Sequence, residues 1–347
     1  MKDFRGWRTD LTQHAIDLEE LIRGCPERDC IPAIDRPLFT NVEEADLWLE
    51  SRSPVAVLRY AGESRAYPLQ ILIRHEIVND QLGDAAMTIT YCPLCNTTIA
   101  FDRHLGNHLL DFGVSGYLRR SDLVMYDRQT ESFWQQATGQ GIVGKFTGRR
   151  LTPVSAPVLS WRDFKADAPQ GLVLSRDTGY PWDYQQHGFA GYDSRPRPLE
   201  RYFHYPLDER LPAMERVAAL SGENGSLAIP FSALAERRVM NIELDERPLV
   251  VFWAPGTASM LDTNRIDTSQ DVGAAAVFSR TLGEGILTFR ASGEGSFVDE
   301  ETSSSWTIAG RALAGPLAGA QLTGFPHTDA FWFSWASFYP TVRIVRE

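Results

Sequence analysis

The chain has 347 residues, 43% of them hydrophobic and 23% charged, with a formal net charge of −11. That length sets two domains as the first expectation, and the composition is that of a soluble globular protein. The acidic balance excludes nucleic acid and anionic membrane surfaces as partners, because both need basic patches. No stretch reaches the roughly 18 apolar residues of a membrane span, and Met1–Arg8 lacks the apolar core of a secretory signal. The sequence therefore reads as cytoplasmic.

Residues 9–23 carry apolar side chains at mixed three- and four-residue spacing (Leu11, Ile16, Leu18, Leu21, Ile22), which predicts a helix. The next segment, with Gly24, Cys25, Pro26, Cys30 and Pro32, is irregular. A second short helix is expected over 42–51, then a hairpin of 55–60 and 64–67 turning at Ala61-Gly62-Glu63. Pro68 opens a helix through Val78, with His75 near its apolar face. Ala86–Tyr91 alternates as a strand that leads straight to Cys92, and Thr97–Phe101 is β-branched enough to return as another. Strands at 109–114, 123–126 and 132–136 and a helix at 161–167 close this part. Residues 178–214, with five Pro and many Tyr and Arg, read as a linker draped over what lies on either side.

The second half resembles the first. At a constant offset of 162, Val55, Leu58, Pro68, Leu72, Asn79 and Pro93 meet the identical residues Val217, Leu220, Pro230, Leu234, Asn241 and Pro255. Asp127, Thr130 and Trp134 meet Asp299, Thr302 and Trp306 at 172, a drift that loop insertions produce. Polar positions differ: Cys92 faces Ala254, Cys95 faces Thr257, His75 faces Arg237 and Glu76 faces Arg238. Shared residues read as scaffold and these differences as function.

Cys92-Pro93-Leu94-Cys95 is the sharpest motif. Two thiols three positions apart can hold a metal ion, act as a redox pair, or lie inert in a core. In a reducing compartment metal ligation leads. His75, with Glu76 beside it, is the expected third ligand, leaving an open position. Cys25 and Cys30 offer a closed four-thiolate alternative, or they face each other across their Pro-rich turn. A soft S/N donor set suits zinc or copper. Asp122, Tyr126 and Glu76 are the proton-handling candidates, although Asp122 faces Glu294 in the second half. Gly113-Val114-Ser115-Gly116 lacks the spacing of a nucleophile elbow and reads as a turn. His187 and His204 read as surface residues.

Arg65-Ala66-Tyr67-Pro68, His75-Glu76-Ile77-Val78-Asn79-Asp80, Thr90-Tyr91-Cys92-Pro93-Leu94-Cys95 and Phe112–Gly116 occur in that order, followed by Ser121–Arg128. This series resembles the uncharacterised prokaryotic family catalogued as domain of unknown function 3179, over roughly residues 20–345. The resemblance implies the layout and the importance of the motif residues and names no reaction. Cys25 and Cys30 stand where it implies glycines, which weakens the four-thiolate alternative, and Asn96 also stands in place of a Gly.

The resulting expectation is an α+β, mainly β protein. It has an N-terminal segment (1–50), a first repeat carrying the CxxC (51–177), the linker (178–214) and a second repeat without cysteines (215–347). A small molecule is the expected partner of a Cys92/Cys95/His75 metal site. A structural metal in a non-catalytic binding protein, or a thiol oxidoreductase, are the alternatives.

Overall fold

The structure, a computed structural model, describes residues 4–347; Met1, Lys2 and Asp3, part of the N-terminal stretch read above, lie outside the described residues. The chain is mainly β with a few short helices, as its β-branched, alternating segments require. No helix among the described residues is long and apolar enough to cross a membrane.

Pro54–Tyr60 and Glu63–Pro68 pair antiparallel, from Val55 opposite Pro68 to Tyr60 opposite Glu63. The turn needs only Ala61 and Gly62, both at positive φ, which is the two-residue geometry that matches strand twist. The helix that follows, Leu69–His75, is shorter than expected. Glu76 adopts a left-handed φ of 58° and its N–H caps onto Leu72 O. The β-branched Ile77 and Val78 then begin the strand Ile77–Leu82 rather than extending the helix. That strand, Ala85–Cys92, Thr97–Asp102 and Pro153–Val154 form one four-stranded sheet. A second sheet carries Phe112–Arg119, Asp122–Asp127, Phe133–Gln135 and Gln140–Val143.

The helix expected over 9–23 is absent; only the single turn Leu18–Glu20 is helical. Asp10 and Asp17 accept from the backbone N–H groups of Thr12 and Glu19, and such local bonds compete with helix formation. Leu11, Ile16 and Leu18 instead pack against Tyr117, Phe133 and Val143. The helix expected over 42–51 is confined to Val42–Ala45, whereas Trp161–Asp167 is helical as expected.

From Arg216 onward the element order runs parallel to that from Pro54: two strands, a seven-residue helix, three strands, a small hairpin, a four-stranded meander, a strand, a seven-residue helix and a closing strand, the first half having one extra short strand, Pro153–Val154, after its meander. Local details recur. Glu76 and Arg238 both take a left-handed φ at a helix end, and their carbonyls accept from Tyr91 N–H and Trp253 N–H. Two of the hydrophobic clusters draw on both halves. Val55, Trp161 and Phe164 share one cluster with Phe252 and Phe278, and Leu94 shares another with Phe331 and Phe333.

The segment 178–214 has one regular turn, Glu200–Tyr202, and touches both halves. Tyr192 Oη donates to Leu94 O at 2.9 Å, while Asp193 pairs with Arg216 at 2.9 Å.

Candidate functional site

The thiols are placed by strand pairing. Ala85–Cys92 and Thr97–Asp102 stay in register until Cys92 faces Thr97, so Pro93–Asn96 form the turn. Asn96 takes the left-handed conformation (φ 56°), where Asn is among the few non-glycine residues tolerated. The turn therefore forms although the resemblance implies Gly there. Asp122 arrives from the second sheet, at the end of a two-residue turn whose Arg120 and Ser121 both have positive φ (53° and 66°). Residues held in such sparsely populated conformations cost on the order of 1–3 kcal/mol each and cluster at functional sites.

Cys92, Cys95 and Asp122 are fully buried, and their ligand atoms lie within 4.8 Å of one another. Cys95 Sγ–H donates to Asp122 Oδ1 at 2.9 Å. Oδ2 of the same carboxyl accepts from Gln135 Nε2 at 2.6 Å and from Ala137 N–H at 2.9 Å, which fixes the orientation of Oδ1. Thr97 Oγ1 sits 3.0 Å from Cys95 Sγ and donates to Gln136 Oε1 at 2.7 Å; Gln136 Nε2 in turn donates to Thr90 Oγ1 at 2.8 Å. Cys92 Sγ has a long contact of 3.8 Å to Ser121 O and interacts with the side chain and backbone of Cys95.

Burial raises the proton affinity of the whole group. It pushes Cys92 up and Cys95 well above the usual thiol range, and it raises Asp122. Glu76, buried and repelled by Asp122, is pushed up to about 8. Without a cation both thiols thus keep their protons at neutral pH. Two thiols and an oriented carboxyl form the donor set a soft metal needs once the thiol protons are lost.

Among the sequence candidates, the structure brings Asp122 to the two thiols and places Glu76 close enough for its charge to act on Cys92. It does not bring His75. Nδ1 of that ring is bonded to Pro32 O and Nε2 to Tyr184 Oη, both at 2.7 Å, and the ring lies against Trp182 and Tyr180. Tyr126 points elsewhere too, donating to Asp29 Oδ2 at 2.5 Å with Arg128 alongside. Cys25 and Cys30 form a disulfide, so the four-thiolate alternative falls. Ser115 Oγ is committed to Val124 O, consistent with a structural turn. His187 is buried rather than a surface residue, and burial lowers its pKa to about 4; His204 is exposed.

Sequence reasoning missed Thr97, Gln135, Gln136 and Tyr192. Thr97 could have been found by extending strand alternation past Cys95. Nothing local marks the two glutamines or the distant tyrosine.

At the corresponding place in the second half, Ala254 and Thr257 replace the thiols, and Arg238 lies over the Trp253 ring at 4.6 Å. Beside the first-half cluster, a cavity of about 410 Å³ is lined by Glu76, Leu94 and Leu123 on one side and by linker residues including Phe189 and Tyr192 on the other.

The family model described as a protein of unknown function, DUF3179, matches residues 28–342. No curated protein and no solved structure matches the chain.

Proposed function

The chain belongs to the DUF3179 family, whose membership carries no reaction, and from the geometry we propose that it is a metalloprotein whose ion is held by Cys92, Cys95 and Asp122. The observation that carries this is the convergence of three buried ligand atoms within 4.8 Å of one another. Two thiolates and one carboxylate suit zinc or copper better than calcium or magnesium, and three protein ligands leave a position for substrate or water. The ion would supply Lewis acidity or redox chemistry there. Gln135 and Ala137 orient the carboxylate ligand, and Glu76, protonated at neutral pH, stands between the cluster and the cavity as a proton donor. The cavity is of a size that takes a small molecule.

A thiol oxidoreductase is the weaker reading. Both thiols are buried and shifted upward, whereas an attacking cysteine needs exposure and a lowered pKa. The Cys25–Cys30 disulfide supports an oxidising compartment rather than the cytoplasm expected from sequence. With this reading goes a division of labour: residues 51–177 carry the site, 178–214 wall it, and 215–347 act as scaffold.

Elemental analysis of untagged protein tests the proposal, beside Cys92→Ser, Asp122→Asn and His75→Ala. Near-stoichiometric zinc or copper, lost in the first two variants and kept in the third, is the expected result. Metal lost only in His75→Ala, or absent from well-folded wild type after reconstitution, overturns it.

A further inference from the structure

The cavity beside the thiol cluster has two chemically distinct ends. Its body is apolar, with Leu94, Val114, Leu118 and Leu123 among the lining residues. Its linker side brings Arg195 and Arg201, both exposed. Arg201 is stacked on Tyr202 at 4.6 Å, and neither guanidinium is bonded to a carboxylate among the described residues. Glu76 is part of the lining next to the metal-ligand candidates.

This wall is built into the fold. Gly191 N–H bonds Asp262 O at 2.6 Å and Tyr192 N–H bonds Leu261 O at 2.9 Å, while Tyr192 Oη reaches Leu94 O in the CxxC turn. Asp193, between them and Arg195, is locked to Arg216. The strap therefore holds one edge of the cavity in a fixed place over the turn. Two unpaired arginines in a chain of net charge −11 favour an anionic group.

We propose that this cavity binds a small organic anion with an apolar body, its carboxylate or sulfonate at Arg195 and Arg201 and its opposite end against Glu76. The inference rests on the metal-site reading only for what happens at that opposite end; the binding itself needs no ion. A cavity of about 410 Å³ accommodates a body the size of a substituted phenyl ring with a short chain.

The test is calorimetric titration of the full chain with 4-phenylbutyrate and with its neutral amide at millimolar concentration, in low and high salt. The variants are Arg195→Ala/Arg201→Ala and Cys92→Ser. The acid should bind more tightly than the amide in low salt, by up to about fivefold, the worth of an exposed ion pair. That preference should shrink in high salt and vanish in the double arginine variant, whose exposed substitutions leave the fold intact. Cys92→Ser should lose metal and keep the preference, so failure of the metal site and failure of the anion site give different patterns. Equal binding of acid and amide, a preference that survives loss of both arginines, or no saturable binding of either compound overturns the proposal.

Discussion

Cys95 donates its thiol proton to Asp122 across 2.9 Å, joining a hairpin turn of one sheet to the first residue of a strand in another. The bond needs Asp122 as acceptor and cannot persist once the thiol is a metal-bound thiolate, so metal binding exchanges this proton for an ion. With both thiols shifted upward by burial, about two protons leave as the metal enters, and its affinity should rise about 100-fold per pH unit near neutrality. Competition against a chelator at pH 6, 7 and 8 measures that slope. A pH-independent affinity would mean that the ion does not displace thiol protons.

Asp122→Ala should destabilise the metal-free protein by about 2–4 kcal/mol. It leaves Gln135 Nε2, Ala137 N–H and the Cys95 thiol without their buried acceptor. Asp122→Asn keeps an acceptor and should cost about half as much while still losing metal. Denaturant unfolding of both variants separates the structural share of Asp122 from its ligand role.

Asp329 gives a pH signature away from the cluster. Burial raises its pKa to about 7, Oδ1 is without a hydrogen-bond partner, and a void of about 20 Å³ beside it has room for one water. The folded state therefore holds a proton that the unfolded state has released above an ordinary carboxyl pKa of 3.8. The proton is bound on folding, so this group's contribution to stability falls as pH rises from about 4 to 7 and is flat above. Buried His75, His187 and His327, all shifted down, act oppositely in the unfolded range near 6.5, so the comparison has to be with a variant. Asp329→Asn should become progressively more stable relative to wild type across that window, and parallel stability curves would count against the buried proton.

How much of this was legible depended on the range of the interaction. The thiol turn could be placed because the alternation of Ala86–Tyr91 and Thr97–Phe101 specifies a strand, a turn and a strand within twenty residues. His75, near in sequence and expected at the thiols, is not brought to them because it belongs to a helix stopped by the left-handed Glu76, which sends its ring toward Pro32 and Tyr184. Asp122 was noted, but only as a proton handler, since its approach to Cys95 depends on how two sheets pack. The helix expected over 9–23 failed for another reason: apolar spacing fitted it, but Asp10 and Asp17 offered local bonds that periodicity does not register.

The Cys25–Cys30 disulfide closes a loop of a few residues beside the cavity, with Asp29 N–H bonded to Val114 O. A loop that short gives a chain-entropy stabilisation of about 2 kcal/mol. Cys25→Ser/Cys30→Ser should lower the unfolding free energy by roughly that amount and leave metal content unchanged. Metal loss in this variant would restore a role for the outer cysteines in the site.

Trp134 and Trp306 offer a matched comparison of the two halves. Each indole N–H donates to a buried carboxylate, Asp127 Oδ2 at 2.9 Å and Asp299 Oδ2 at 2.8 Å. In each case Thr at the third position after the Asp donates to the same carboxyl and bonds a Ser hydroxyl, Thr130 with Ser132 and Thr302 with Ser304, both at 2.7 Å. If the halves are copies of one ancestral unit that diverged only where the site was kept or lost, these scaffold bonds carry equal weight. Trp134→Phe and Trp306→Phe should each destabilise the protein by about 1–3 kcal/mol, since each leaves a buried carboxylate short of a donor. Neither should change metal content, because each indole N–H is bonded to its own Asp and not to Cys92, Cys95 or Asp122. A cost several-fold larger for Trp134→Phe, accompanied by metal loss, would tie that tryptophan to the site and end the equivalence.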